Sequence, residues 1–235
     1  MTGLTSTSAA IAATPPARQP ARTPVRPASW KARIAALWLH PAVKPLVWIA
    51  CLLPALLLVW GAADNTLGAN PAETLIRSTG LWTLRMLCLT LAVTPLRRWL
   101  GWTGLARLRR MLGLYVFFYA VLHVLSYAWL DMGLVWADIV RDIPKRPFVL
   151  VGFLAFVGLV PLAATSFNRA IRTLGAARWQ RLHRLVYVIA GLGVLHFFWI
   201  RSSKHRWDEF LIYAGVIAVL LSVRLLHRIK KARTV

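Results

Sequence analysis

His123, His183 and His196 lie inside strongly apolar stretches of this chain. His123 sits in LYVFFYAVLHVLSYAWL, while His183 and His196 stand thirteen residues apart in LHRLVYVIAGLGVLHFFW. An ionisable side chain in a bilayer span is costly and requires a partner or a function. Imidazole is a good iron ligand, and haem iron is commonly held by histidine. No C-x-x-C-H motif is present, so a haem here would be non-covalent haem b. The alternative for each histidine is a packed core residue whose ring bonds a carbonyl.

The elements that must position these rings are membrane spans. Of 235 residues, 58% are hydrophobic, too many for a soluble domain of this size to hide. The fold class expected is an all-α integral membrane protein, a six-transmembrane-helix bundle. The predicted spans are Pro45–Ala63, Gly80–Leu96, Met111–Leu130, Phe148–Ser166, Leu182–Ile200 and Phe210–Leu226. Each approaches the ~20 residues that a ~30 Å hydrocarbon core requires. Cys51 and Cys88 fall within spans and read as inert packing thiols.

A net charge of +22 suggests nucleic acid until its distribution is read. The N-terminal tail, 97–110, 169–184 and the tail from Arg224 hold 6, 5, 5 and 5 Lys/Arg and no acid. All seven acids lie in the intervening segments, where seven bases balance them: Asp64, Glu73, Asp131, Asp138, Asp142, Asp208 and Glu209. A Lys/Arg excess that alternates with each crossing is the positive-inside pattern, which puts both termini in the cytoplasm. The basic rim suits anionic membrane lipid, not nucleic acid. Residues 1–44 read as a disordered basic tail and pre-helix, without the apolar core of a cleaved signal; 45–228 as the membrane domain; and 229–235 as a basic tail.

Depth sorts the histidines. His183 lies at the cytoplasmic end of the fifth span, and His196 lies about 20 Å further out at ~1.5 Å per residue. His123 is about as deep in the third span. Across neighbouring helices, His123 and His196 would ligate one iron from both sides, and filling both axial positions suits electron transfer. In an ideal helix His183 points about 140° away from His196. Arg109, fourteen residues before His123, shares its helical face. Arginine stays protonated and is a poor iron ligand, but it suits a haem propionate, a flavin phosphate or a quinone carbonyl. One haem is therefore expected at the outer pair, and a second, cytoplasmic site of open occupancy at His183 and Arg109. A snorkelling interfacial residue is the alternative for His183. Arg85, in the second span, could neutralise propionates of the outer haem or snorkel outward. His40, His205 and His227 read as surface residues.

Walker A and G-x-G-x-x-G motifs are absent. With about ten residues after the sixth span, no soluble flavin or nicotinamide domain is expected in the chain. Electrons would come from a membrane quinol or a separate cytosolic flavin reductase.

Several long motifs carry a family resemblance. They are TGLWTL with TPLR (Thr79–Leu84, Thr94–Arg97), RRMLGLYVFFYAVLH (Arg109–His123), KRPFVLVG with LAATS (Lys145–Gly152, Leu162–Ser166), and WQRLHRLVY followed by HFFW (Trp179–Tyr187, His196–Trp199). Over about Pro45 to Arg228 the chain resembles the haem-binding membrane subunits of periplasmic protein-methionine-sulfoxide reductase systems. This is the MsrQ family, earlier YedZ, within the ferric-reductase-like transmembrane superfamily. The resemblance implies a bacterial inner-membrane b-type cytochrome. It would pass electrons from the quinol pool to a periplasmic molybdenum-cofactor subunit that repairs oxidised methionine. It also implies an association with FMN, and haem-ligand roles for His123, His183 and His196. Wider ferric-reductase relatives usually carry a fourth histidine on the third span; here, as in this family, Arg109 stands at that position, which leaves haem number open. Two other readings are a ferric or cupric reductase-type carrier fed by a flavoprotein, and a haem-free metal or proton transporter.

Overall fold

A computed structural model describes residues 30–202 and 207–233. The expectation of a disordered tail falls mainly on residues 1–29, and His205 on 203–206; both lie outside the described residues. Among the described residues the fold is helical with no strand. The α-helices are α1 (Trp30–Leu39), α2 (Val43–Ala63), α3 (Pro71–Leu100), α4 (Arg109–Ser126), α5 (Trp136–Lys145), α6 (Pro147–Ala164), α7 (Asn168–Leu174), α8 (Ala176–His183), α9 (Leu185–Ser202) and α10 (Trp207–Arg233). Six segments are long and apolar enough to cross a bilayer: α2, α3, Thr103–Asp131 around α4, α6, Ala176–Ser202, and Trp207–His227 within α10. The chain is a multi-pass membrane protein.

α3 packs along α4 and α6 along α9, while α10 closes against α3 and α9. Leu91, Val116, Tyr119 and Ala190 are almost fully buried. α2 lies outside them, with Leu46, Ile49, Leu53, Leu57 and Trp60 exposed to the surroundings. Two hydroxyls from α4 hold it. Tyr115 donates to the Trp48 carbonyl at 2.8 Å, and Tyr119 donates to the Cys51 carbonyl at 2.7 Å while accepting from the Ala55 N–H at 3.2 Å.

Three elements depart from the hydropathy reading. α3 begins nine residues before Gly80, because Asn70 accepts the Glu73 N–H at 3.1 Å and Pro71 occupies the first turn. That polar turn is a good helix start with poor hydropathy. The fifth span is two helices, broken at Arg184. There the Arg184 N–H bonds Arg181 O, and the Tyr187 N–H bonds Arg184 O, each three residues back. The tightened turn removes the ideal-helix geometry behind the 140° offset of His183 from His196. The loop after the third span contains α5, with Ile139 buried and Trp136 and Val140 exposed. Asp142 anchors that loop: Tyr127 donates to it at 2.6 Å, and Arg146 pairs with it and with Asp131.

Candidate functional site

The fold brings His123 on α4 and His196 on α9 together, with ring centres 6.1 Å apart and planes at 72°. With metal–nitrogen bonds of about 2 Å and ring centres about 1 Å behind their nitrogens, two imidazoles on opposite sides of one iron stand about 6 Å apart. Both rings are half-buried. Each is oriented by the helix beside it. His123 Nδ1 donates to the Ile76 carbonyl of α3 at 2.8 Å, and His196 Nδ1 donates to the Phe148 carbonyl of α6 at 2.6 Å. Such a bond puts the proton on Nδ1 and leaves Nε2 with the lone pair, the arrangement that ligating histidines use.

A glycine stands one turn beyond each carbonyl. A Cβ on Gly80 would lie 3.0 Å from His123 Cε1, and a Cβ on Gly152 would lie 2.8 Å from His196 Cε1 and Nδ1. Both glycines therefore let an imidazole rest directly on a helix backbone. Sequence reading missed them as site residues, although a glycine in mid-helix, costing about 1 kcal/mol, is itself a signal of close approach. Phe148 stands 6.4 Å from the His196 ring, and Phe117 stacks on Phe156 at 6.0 Å and 7° between α4 and α6. Beside the pair a concavity of about 370 Å³, lined by Pro147, Phe148, Trp199 and Ser202, opens at the acid-bearing end of the bundle. Two preset imidazoles suit an iron that brings four porphyrin nitrogens of its own.

His183 belongs to a different site. A cavity of about 310 Å³ at the basic end is lined by His183, Arg109, Arg224, Thr90, Trp179 and Phe117, among others. His183 stacks on Trp179 at 3.9 Å, and the Trp179 indole donates to the Thr165 carbonyl at 2.9 Å. The Thr165 hydroxyl lies 2.7 Å from the Pro161 carbonyl and 3.2 Å from His183 Nε2. With the hydroxyl proton on Pro161, His183 Nε2–H donates to Thr165, and Nδ1 carries the lone pair. The outer pair has the opposite tautomer.

Arg85 is not part of either cluster. It follows Gly80 by five residues, about 140° around the helix, and so faces α10 instead of His123. Its Nε donates to the Tyr213 hydroxyl at 3.0 Å and its guanidinium lies 4.6 Å from the Trp82 ring centre, so it ties α3 to α10. His40 and His227 are exposed. Arg224, counted in the sequence with the basic C-terminal tail although it falls within the predicted sixth span, is buried. Hydropathy marks where a span ends, not which face of its last turns packs inward.

Residues 79–194 match the family described as ferric reductase like transmembrane component. The chain is 58% identical over 206 residues to the protein-methionine-sulfoxide reductase heme-binding subunit MsrQ of Polaromonas naphthalenivorans (strain CJ2), an overlap of 88% of this chain and 94% of that one. It is 50% identical over 182 residues to the subunit of the same name from Bordetella pertussis, covering 77% and 88% of the two chains. It is 46% identical over 199 residues to that of Xanthomonas campestris pv. campestris, covering 82% and 90%. With such identity along nearly the whole length of each relative, the chain belongs to the MsrQ family of heme-binding subunits.

Proposed function

We propose that this chain is the membrane electron-transfer subunit of a methionine-sulfoxide reductase system, with haem b held between His123 and His196. Residues 45–228 form its haem domain. A haem iron in this position supplies reversible one-electron chemistry. The chain's own part is to bring two imidazoles close together, to keep both protons on Nδ1 so that each Nε2 holds a lone pair, and to surround the group with apolar and aromatic walls. The observation that carries this reading is the pair of imidazoles 6.1 Å apart, each seated on a carbonyl beside a glycine.

The alternating charge supports a basic end in the cytoplasm and an acid-bearing end in the periplasm, with a bacterial inner membrane as the setting of this reading. Electrons then arrive at the His183–Arg109 cavity from a quinol or a cytosolic flavin reductase, with FMN or a second haem as the group held there. They leave beside Phe148 and Trp199 for a periplasmic molybdenum-cofactor subunit that reduces methionine sulfoxide. A reduced-minus-oxidised spectrum of the purified chain tests the reading. It should show the Soret and alpha bands of a bis-histidine b-type cytochrome. A chain expressed with ample haem that showed no such bands would overturn it.

A further inference from the structure

The basic end of the bundle carries charge that the fold does not balance. Arg224 is only 8% exposed on α10. One terminal nitrogen of its guanidinium donates to the Leu91 carbonyl and the other to the Tyr187 hydroxyl at 3.2 Å. Its Nε is buried with no hydrogen-bond partner. Arg224 lines the 310 Å³ cavity together with Arg109 and Arg110. Arg110 also reaches Asn168 at 2.8 Å. Among the described residues no acidic side chain comes near. All seven Asp and Glu residues sit in segments that serve the other end, and Glu209, fifteen residues before Arg224 on α10, lies about 22 Å away along the axis.

Guanidinium groups stay protonated, and like charges around a low-dielectric cavity repel strongly. A buried cation without a counter-charge is among the costliest groups a membrane protein can hold. The missing partner is therefore an anion from outside the chain, and the cavity between Arg224 and Arg109 is where it would sit. The remaining lining narrows its nature. Phe117, Trp179 and the His183 ring offer flat faces, and Leu87, Leu159 and Leu162 offer apolar contact. The site fits a molecule with an aromatic body and an acidic arm.

We infer that Arg224 and Arg109 form a clamp for the carboxylate or phosphate of a planar redox group bound beside His183. This rests on the reading of that cavity as the electron-input site, and it excludes an uncharged quinol as the resident molecule. A haem propionate and a flavin phosphate share the required chemistry.

The experiment uses the full-length purified chain and its Arg224→Gln and Arg224→Lys variants. Haem and flavin are extracted and quantified. Binding is then titrated with FMN against riboflavin, and with haem b against its dimethyl ester. The wild type should prefer one acid-bearing probe over its neutral analogue, and which one identifies the source. Arg224→Gln should weaken that probe by about thirtyfold or more, the loss seen when one partner of a desolvated charge pair is removed. Arg224→Lys should restore part of it, while the bis-histidine spectrum from His123 and His196 persists in both variants as proof of folding. Equal affinity for acid-bearing and neutral probes in the wild type would overturn the inference. So would a preference that survives unchanged in Arg224→Gln. A wild type lacking the bis-histidine spectrum would count against the haem pair, and the flavin comparison would still decide the clamp.

Discussion

At the acid-bearing end two imidazoles lie with ring centres 6.1 Å apart, each with its Nδ1 proton on a main-chain carbonyl and a glycine beneath it. At the basic end a single imidazole has a threonine hydroxyl and an indole for company, with guanidiniums around a cavity. The first site is set by backbone. Its carbonyls belong to helices that cannot move without unpacking the bundle, so both rings are anchored to the main chain. At the second the imidazole is positioned by side chains, the Thr165 hydroxyl and the Trp179 ring, which are themselves tied to main-chain carbonyls. Under the proposed function the difference corresponds to two tasks: retention of the haem at one end, and reception of electrons at the other.

The sharpest way to break this comparison is to remove the outer ligands. His123→Ala and His196→Ala should each abolish most haem binding, measured as haem per chain in purified protein. A full low-spin spectrum in both variants would refute the pairing. Next come the cradles. Gly152→Ala should weaken haem retention by about tenfold, the lower range for losing a ligand's outer-shell support, and should shift the midpoint potential. Gly80→Ala should do less, because its Cβ would stand 3.0 Å from His123 where that of Gly152 would stand 2.8 Å from His196. Equal, unperturbed spectra in the two variants would show that the backbone does not hold the rings. His183→Ala should keep the outer haem but slow its reduction by donor several-fold in stopped-flow absorbance. Loss of all haem would merge the two sites into one.

The smallest effect concerns the loop that begins α6. Burial pushes the Asp142 carboxyl upward, but hydrogen bonds from Arg146 and Tyr127 outweigh it and hold the group below the usual carboxylate range. Asp142 in turn keeps Arg146 firmly protonated. A carboxyl with a lowered folded value stabilises above its unfolded pKa of about 3.9 and loses that contribution as pH falls through the folded value. Protease sensitivity around α5 should thus stay flat from pH 8 to about 5 and rise only in stronger acid. Asp142→Asn should raise it across that flat range, and the two proteins should converge in stronger acid. Loosening of the wild type near neutral pH would exclude this anchor. Because Arg146 lies 5.6 Å from the Phe148 ring centre, the variant should also shift the haem potential slightly.

Much of this was legible from residue types. Hydropathy found six spans, and counting residues along the third and fifth paired His123 with His196. It also grouped Arg109 with His183 at the other end. What hydropathy could not supply was rotation about each helix axis. Arg85 looked available to the outer pair by depth, yet it faces Tyr213 on α10. Arg224 falls in the basic C-terminal run, yet its side chain turns inward to Leu91 and Tyr187. Gly80 and Gly152 stood inside conspicuous motifs, but a glycine's use shows only when the neighbouring helix is in place. The start of α3 escaped for another reason: Asn70, Pro71 and Glu73 form a good helix start that an apolarity scale scores as loop.

The tyrosine hydroxyls that hold α2 also set an order of assembly. Tyr119 reaches Ala55 across 64 residues of sequence, a stretch that takes several seconds to synthesise at about 5–20 residues per second. Throughout that interval α2 has entered the bilayer but lacks the groups that fix its register. α2 is therefore seated only once the span that carries Tyr115 and Tyr119 has been made, and that span is its key.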